Sequence, residues 1–303
     1  MGRYFSCALL AFLVGLVGCD DGSSDDAAGK APPAPDTFFA VVGFDTRIVE
    51  VATATGEVLR TVVDLSDSEA TGGQEPDSIG SLDVDADRNT LYFAVGLSGP
   101  LYRLQLPDSS PERIGDGNGI TVSPDGRRLA FARRRDLVVR DLPGGKEKVF
   151  EGFIGDLGGR PGAWAADSRT LAVEIDGADV THVVVLDTAT GETTELKTRA
   201  GDPHNYTPTA GWFRASDGLL AVVCCTSGEI DPNAPSTTPE LVLHDSTTGE
   251  ERDRSPLRLP GGGYDYDFSR THQLLTSDDA VYWRSDREIS RIPGIAGARL
   301  AVW

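Results

Sequence analysis

The sequence predicts an all-β protein, and three observations indicate it. From residue 37 onward, Val, Leu, Phe and Tyr occur in runs of four to six residues. Asp-Gly, Thr-Gly and Gly-Gly pairs bound these runs. No stretch shows a convincing 3.6-residue period of an amphipathic helix. Because short apolar runs between turn residues are typical of β-strands, we expect strands and turns throughout this region.

The strands recur as a unit. Four aligned strands begin at Leu91, Leu129, Leu171 and Leu219, and each follows an Asp-containing turn. A second turn is nearly identical in three places and looser in a fourth: ATATGE (52–57), DTATGE (187–192), DSTTGE (245–250) and DLPGGK (141–146). Two aligned glycines of this turn, at 145 and 191, are 46 residues apart. A repeat of about 45 residues that holds four strands is the signature of a β-propeller blade.

One form of the first turn carries a family resemblance. The segment Ser123-Pro124-Asp125-Gly126, with the strand that follows it, resembles the repeats of TolB-like and WD-repeat propellers. The resemblance extends over residues 37–303. It implies the propeller fold and no particular chemistry, because propellers serve many functions.

The number of strands in the first repeat predicts how the ring of repeats closes. Residues 37–63 contain three strands and lack an innermost one, which we expect residues 295–303 to supply. The prediction is a six-bladed propeller of four-stranded antiparallel blades, closed by the C-terminal strand joining the N-terminal blade. Later blades are predicted to begin near Ser78, Asn118, Pro161, Tyr206 and Gly263. We expect Trp164, Trp212 and Trp303, which occupy equivalent places, to pack between blades.

The N-terminus has the layout of a secretory signal. Residues 4–17 are an apolar run, too short for a comfortable membrane span. Leu16-Val17-Gly18-Cys19 follows at once and resembles the lipobox of bacterial lipoproteins. The resemblance implies cleavage after Gly18 and acylation of Cys19, which would anchor the chain to the extracytoplasmic face of the cell membrane. An ordinary cleaved signal with a chance Cys is the alternative.

Residues 19–36 are predicted to form a tether between the lipid and the propeller. The segment after Cys19 contains five Asp, one Lys and three Pro and no large apolar residue. Such a segment cannot bury enough surface to offset its ordering entropy. The expected organisation is therefore a signal peptide (1–18), a lipidated Cys with a flexible tether (19–36) and a propeller (37–303). Asp20 resembles the signal that retains such lipoproteins at the inner membrane of two-membrane bacteria.

Composition argues against two classes of partner. Removing residues 1–18 takes away one basic residue, Arg3, and leaves 27 basic against 47 acidic side chains, a net charge of −20. A surface this acidic repels nucleic acid and anionic lipid headgroups. The expected partners are the membrane, through the lipid on Cys19, and a protein, peptide or glycan of the cell envelope.

Catalytic motifs are absent from the sequence. It contains no Gly-x-Ser-x-Gly, His-Glu-x-x-His, phosphate-binding loop or Cys-x-x-Cys. We therefore expect a non-enzymatic binding module without a cofactor. One alternative is a calcium-dependent hydrolase or oxidoreductase, resembling six-bladed lactonases or sugar dehydrogenases. Another is a spacer without any small ligand.

Two local patterns contain residues capable of metal binding or of disulfide formation. Asp83-x-Asp85-x-Asp87 resembles the start of a calcium loop, but Arg88 and Ala94 stand where an EF-hand needs Gly and Glu. We expect these Asp residues to cap a turn and face water instead. Cys224-Cys225 ends a predicted buried strand; two buried thiols and a vicinal disulfide are both left open.

A ligand site is expected at one rim of the propeller. That rim collects the loops between blades and those joining each second and third strand, and loops on a rigid scaffold often carry recognition. Sorting by this rule groups residues 64–77, Arg133-Arg134-Arg135, residues 201–206 and residues 226–239. The three Arg could bind a carboxylate, phosphate or acidic peptide, or form a solvated turn. His204, Asn205 and Tyr206 are candidates to contact a ligand, and turn packing is the alternative.

Overall fold

The computed structural model describes most of the compact unit Ala31–Trp303. The described residues are 36–43, 45–66, 78–85, 87–96, 98–107, 110–142, 144–153, 159–176, 181–197, 209–213, 219–224, 240–256, 267–268, 274–277, 280–284, 289–295 and 297–302.

These residues form 24 strands. In chain order they are β1 (Thr37–Val42), β2 (Arg47–Ala52), β3 (Val58–Asp64), β4 (Ile79–Val84), β5 (Thr90–Val95), β6 (Pro100–Gln105), β7 (Glu112–Asp116), β8 (Asn118–Val122), β9 (Arg128–Arg133), β10 (Asp136–Asp141), β11 (Glu147–Phe150), β12 (Gly159–Trp164), β13 (Thr170–Asp176), β14 (Thr181–Asp187), β15 (Thr193–Glu195), β16 (Thr209–Phe213), β17 (Leu219–Cys224), β18 (Glu240–Asp245), β19 (Glu251–Pro256), β20 (Asp267–Phe268), β21 (Leu274–Ser277), β22 (Ala280–Arg284), β23 (Ile289–Arg291) and β24 (Leu300–Val302).

Within the described part of the chain, the strands make six four-stranded antiparallel sheets. Sheet 1 has the order β24-β1-β2-β3, and sheets 2 to 6 are β4–β7, β8–β11, β12–β15, β16–β19 and β20–β23, each in sequence order. The sheet-1 order was expected from the sequence, since residues 37–63 supply only three strands. The C-terminal strand β24 pairs with β1, with Ala301 opposite Ala40.

The first strand of each sheet, called its inner strand, lies against inner strands of two other sheets. The pairs in contact are β24–β4, β4–β8, β8–β12, β12–β16, β16–β20 and β20–β24. Every contact joins sheets that follow one another in the chain, except that sheet 6 contacts sheet 1.

The described core lies between neighbouring sheets rather than inside any one of them. Phe93 of sheet 2 packs in one cluster with Phe39 of sheet 1, and Phe131 of sheet 3 packs with Leu101 of sheet 2. Trp164 of sheet 4 is buried against sheet 3, and its indole N–H donates to the Thr121 carbonyl at 3.4 Å. Trp164 therefore packs between sheets, as the sequence predicted; Trp303 and the Trp212 side chain lie outside what the structure describes.

The antiparallel order gives each sheet two different ends. Connections between the first and second strands and between the third and fourth strands lie at one end, called here the turn end. Connections between the second and third strands, and those leading to the next sheet, lie at the other, the loop end. Turn-end connections span four to six residues, whereas the loop end includes the segments 65–78, 196–208 and 225–239.

The turn end repeats the same hydrogen bonds. In all four copies of the second turn, a glycine N–H donates to the carbonyl four residues earlier in the chain, at distances of 2.7–2.8 Å. The acceptors are Ala52, Asp141, Asp187 and Asp245. The looser copy differs in one respect: its positive φ falls on Gly144 instead of the aligned Gly145. The first turn also repeats, with Arg88, Gly126 and Ser168 at one equivalent position of positive φ.

These turns also join neighbouring sheets. The Lys148 ammonium of sheet 3 donates to the carbonyls of Thr188 and Ala189, in the second turn of sheet 4. In the same way, the Lys197 N–H after sheet 4 donates to the Gly249 carbonyl of sheet 5 at 2.7 Å. The turn end is therefore constrained by packing between sheets as well as by local turn chemistry.

Candidate functional site

The loop end is the candidate site because its connections differ widely in length, from one residue between β7 and β8 to fifteen between β17 and β18. Each doubling of the length of a flexible connection adds only about 0.6 kcal/mol to the entropic cost of joining its two ends. A rigid scaffold therefore tolerates long connections. The strands on either side fix where each connection starts and ends. The three longest, 65–78, 196–208 and 225–239, all leave and rejoin the sheets at the loop end.

Arg133, Arg134 and Arg135 lie at the loop end, where β9 turns into β10. Arg133 pairs with Asp136 across a two-residue hairpin whose central residues are Arg134 and Arg135. Both central residues are exposed. Arg134 has a φ of 58°, a left-handed conformation that usually falls to Gly and costs a side-chain-bearing residue about 1–2 kcal/mol. An exposed Arg held in this conformation is consistent with a role in recognition.

Arg133 belongs to a local network of charged and aromatic side chains. Its guanidinium lies 2.9 Å from a Glu147 carboxylate oxygen and 5.9 Å from the Phe131 ring centroid. Arg140 donates to the other Glu147 oxygen. Burial alone would raise the pKa of Glu147, but hydrogen bonds from Arg140 and Arg133 outweigh it and lower that pKa. Glu147 thus offsets part of the positive charge of this turn.

The other predicted site residues lie outside the described residues. His204, Asn205 and Tyr206 fall in the segment between β15 and β16, and Cys19 falls before the described part. Cys225 is likewise outside it, and of Cys224 only the backbone, as the last residue of β17, is described.

The structure adds an ion pair at the loop end that no pattern in the sequence indicated. Asp45, in the turn between β1 and β2, is 9% exposed and accepts a hydrogen bond from Arg299 Nη1 at 2.5 Å through its Oδ2 atom. Its Oδ1 atom is buried without a hydrogen-bond partner. The two residues are 254 positions apart in the chain, so no local pattern could have connected them.

Two Asp residues of the calcium-like pattern, Asp83 and Asp85, accept hydrogen bonds from backbone N–H groups. Asp83 is buried, contrary to the expectation that it faces water, because its carboxylate accepts the N–H groups of Val84 (2.8 Å) and Val122 (2.6 Å). Asp85 caps the turn as expected, accepting from Asn89 and Thr90. Asp87 is exposed. Among the described residues, no group of three or more His, Cys, Asp or Glu is placed to hold a metal ion.

His244, like Asp45, is a buried polar side chain whose burial the sequence did not predict. It is fully buried near the turn end of β18, with Nδ1 3.1 Å from the Gly249 carbonyl oxygen. Nδ1 therefore carries the proton, and the buried Nε2 has no hydrogen-bond partner. Burial lowers the pKa of His244, and the bond to Gly249 opposes this only in part.

No helix within the described ranges is long and apolar enough to cross a membrane. No model of a known protein family matches the sequence, and no characterised protein sequence matches it.

Solved structures share the fold. TolB from Acinetobacter baumannii superposes with a TM-score of 0.60 at 16% identity, covering 88% of this chain and 65% of that chain. A putative TolB from Agrobacterium tumefaciens gives 0.56 at 14% identity, covering 79% and 86%. A chain of a nidogen/laminin complex gives 0.60 at 12% identity, covering 88% and 97%. The fold is therefore an all-β propeller type similar to TolB, and this chain spans 65% of the Acinetobacter protein.

Proposed function

We propose that this protein is a lipid-anchored, six-bladed propeller on the extracytoplasmic face of the cell membrane, and that its loop end binds a protein, peptide or glycan of the envelope. The observation that carries the proposal is the difference between the two ends of the sheets. Repeated, hydrogen-bonded turns of similar length occupy one end, and connections that differ in length and sequence, the three longest among them, occupy the other. Recognition is usually carried by variable loops on a rigid scaffold.

Contacts between sheets support a closed ring. Each inner strand contacts two others, and the series returns from β20 to β24 and on to β4. Sheet 1 and the segment after sheet 6 also meet as closely as sheets 5 and 4 do. A Cβ atom on Gly56 would lie 1.5 Å from the Pro293 carbonyl oxygen, and one on Gly249 would lie 1.9 Å from that of Glu195. Such closure removes the exposed edges of an open arrangement.

The path of the chain into sheet 1 supports presentation of the loop end to a partner. Strand β1 starts at the turn end, where the Thr53 N–H donates to the Asp36 carbonyl at 2.9 Å. A tether over residues 19–36 therefore joins the propeller at the turn end. With acyl chains on Cys19 in the membrane, the attachment point and the loop end are at opposite ends of sheet 1.

The comparisons support a binding role only through the fold. A similar structure comes from a complex of nidogen with laminin, so this fold is used by a protein that assembles with another. Arg134 and Arg135 remain our candidates for contact with an anionic group of the partner, and His204, Asn205 and Tyr206, in the connection between β15 and β16, remain candidates as well.

Site-specific photo-crosslinking tests the proposal. A crosslinking amino acid at Arg134 samples the loop end, and one at Thr190, exposed in a turn of sheet 4, is the matched control at the turn end. We expect partner adducts in intact cells from position 134 and none from position 190. Adducts from position 190 alone would contradict the assignment of the binding surface.

Two further variants separate the parts of the proposal. Cys19→Ser should release the protein from the membrane fraction, and retention there would contradict lipid anchoring. If Arg133, Arg134 and Arg135 contact an anionic group of the partner, replacing all three with Ser should weaken binding and change its salt dependence. Unchanged affinity would remove these Arg from the site while leaving the loop end in place.

A further inference from the structure

Asp45 occupies a junction of the loop end. Its carbonyl accepts the N–H of Ile79 at 2.7 Å, and Ile79 is the first residue of the inner strand β4. Arg299, which bonds its carboxylate, immediately precedes the inner strand β24. Because β24 and β4 are themselves in contact, the Asp45 carboxylate lies where the loop-end starts of two inner strands meet.

This carboxylate is only half satisfied. Oδ2 takes the Arg299 hydrogen bond, while Oδ1 is buried with no hydrogen-bond partner. A buried polar atom left without a partner destabilises the fold, and more so when it carries charge. Native structures rarely retain such an atom, so it calls for a specific explanation. A cation that pairs with Oδ1 would remove the cost.

The backbone at Asp45 is also held in an uncommon conformation. Its φ is 65°, in the left-handed region that few residues other than Gly adopt. The conformation is maintained by bonds on both sides, since the Asp45 and Thr46 carbonyls accept the N–H groups of Ile79 and Leu65. An uncommon backbone conformation and a carboxylate oxygen without a hydrogen-bond partner, together at one residue, are consistent with a site prepared for a ligand.

Arg299 shows what kind of ligand fits. Its side chain is 67% exposed although its guanidinium bonds a buried carboxylate, so it covers Asp45 from the solvent side. Because Oδ1 is buried while Arg299 is in place, a guanidinium or an ammonium from solvent reaches this carboxylate by displacing Arg299. The net charge of −20 beyond residue 18 would draw a basic segment toward the protein.

We propose that Asp45 is the anchor for a Lys or Arg side chain of a basic polypeptide partner at the loop end. The proposal rests on the proposed function and narrows its partner from an envelope protein, peptide or glycan to a basic polypeptide. Arg299 is then an internal competitor that occupies the carboxylate until the partner binds.

Nuclear magnetic resonance titrations of the full chain test this without the natural partner. The probes are methylguanidinium chloride and methylammonium chloride up to about 50 mM, with sodium chloride at equal ionic strength as the reference and calcium chloride as a separate probe. The readout is the amide shifts of Asp45, Thr46 and Ile79. The variants are Asp45→Asn and Arg299→Gln, with Asp136→Asn, another loop-end carboxylate, as the matched control.

The two variants should move affinity in opposite directions. Asp45→Asn should weaken probe binding by about tenfold, because it removes the negative charge. Arg299→Gln should strengthen it by about threefold, because it removes the competitor, and Asp136→Asn should leave it unchanged. If Asp45–Arg299 is only a clamp for β24, both variants lower the melting temperature and Arg299→Gln brings no gain in affinity.

Several results would overturn the inference. They are no probe-specific shift at these three amides, binding of calcium alone, or an Arg299→Gln variant that binds no better than the wild type. The Arg299→Gln result would overturn the inference even if the Asp45→Asn variant does not fold. Probe binding at Asp45 without loop-end crosslinks in cells would instead contradict the proposed function and leave the cation site standing.

Discussion

The turn end and the loop end are built from the same strands, yet they obey different constraints. At the turn end, one glycine-containing turn recurs four times with the same hydrogen bonds, and it contacts the preceding sheet. At the loop end, the hairpin at Arg134 and the 225–239 connection have little in common. We infer that packing between sheets preserves the repeated turns at the turn end, whereas the connections at the loop end are free to diversify.

The largest predicted effect removes the close packing of the turn end. Gly56→Ala and Gly249→Ala place a Cβ within 2 Å of a backbone carbonyl oxygen, at φ values of 68° and 71°. Strain and overpacking together should lower the free energy of unfolding by about 3 kcal/mol or more for each. Urea denaturation followed by circular dichroism measures the loss.

Gly96→Ala is the matched control at the loop end. Gly96 has a φ of 72°, but a Cβ there would meet no atom within 4 Å. It should cost only the conformational term, about 1–2 kcal/mol. Equal losses in all three variants would show that the turn end is not held by contact between sheets, and a small loss at Gly56 alone would argue against ring closure.

A second, smaller effect concerns the carboxylate that joins two inner strands. Asp83→Ala leaves the Val122 N–H of sheet 3 without the acceptor that now lies 2.6 Å away, which should cost about 2 kcal/mol. Asp136→Ala, which removes an acceptor from the exposed hydrogen bond of the Gly152 N–H, should cost about 0.5–1 kcal/mol. Thermal melts of both variants in one buffer give the comparison; a larger loss for Asp136→Ala would reverse our ranking of the two ends.

The pH dependence of stability should reveal His244. Burial lowers its pKa below the unfolded value of about 6.5, so the unfolded chain binds the proton more readily. Its contribution to stability is therefore complete above about pH 6.5 and is lost as the pH falls through the folded-state pKa, by at most about 1.4 kcal/mol per pH unit. Denaturation curves between pH 7.5 and 5 measure this slope.

His244→Gln is the control for that slope, because it keeps an N–H donor for the Gly249 carbonyl and cannot titrate. The difference between the two pH profiles isolates this side chain from the other three His of the chain. Parallel profiles would show that His244 does not set the acid limit of stability.

The two ends also differ in how far the sequence could predict them. Turn-end hydrogen bonds are local, so Asp and Gly at fixed spacing were enough to predict the turns and the strands beside them. Asp83 was misjudged because its acceptor role reaches Val122, 39 residues away. At the loop end, the hairpin at Arg134 was predicted, but Asp45 and Arg299 were not, since a contact across 254 residues leaves no spacing to read. Local turn chemistry and the number of strands in a repeat are visible in a sequence, and so is the pairing of β24 with β1 that follows from them; contacts between single side chains far apart in the chain are not.

The smallest predicted effect has the opposite sign and tests whether the loop end has exchanged stability for recognition. Arg134→Gly removes the left-handed strain at φ 58°, partly offset by the greater freedom of Gly in the unfolded chain. The net gain should be about 0.5–1 kcal/mol in the free energy of unfolding. Arg134→Lys, which keeps both charge and strain, is the control and should be neutral.

If Arg134 contacts the partner, the stabilised Gly variant should bind the partner more weakly. The yield of adducts from a crosslinker at Arg135 measures this binding. A Gly variant that gains no stability would show that the hairpin is unstrained, and the conformation of Arg134 would then carry no argument for a site.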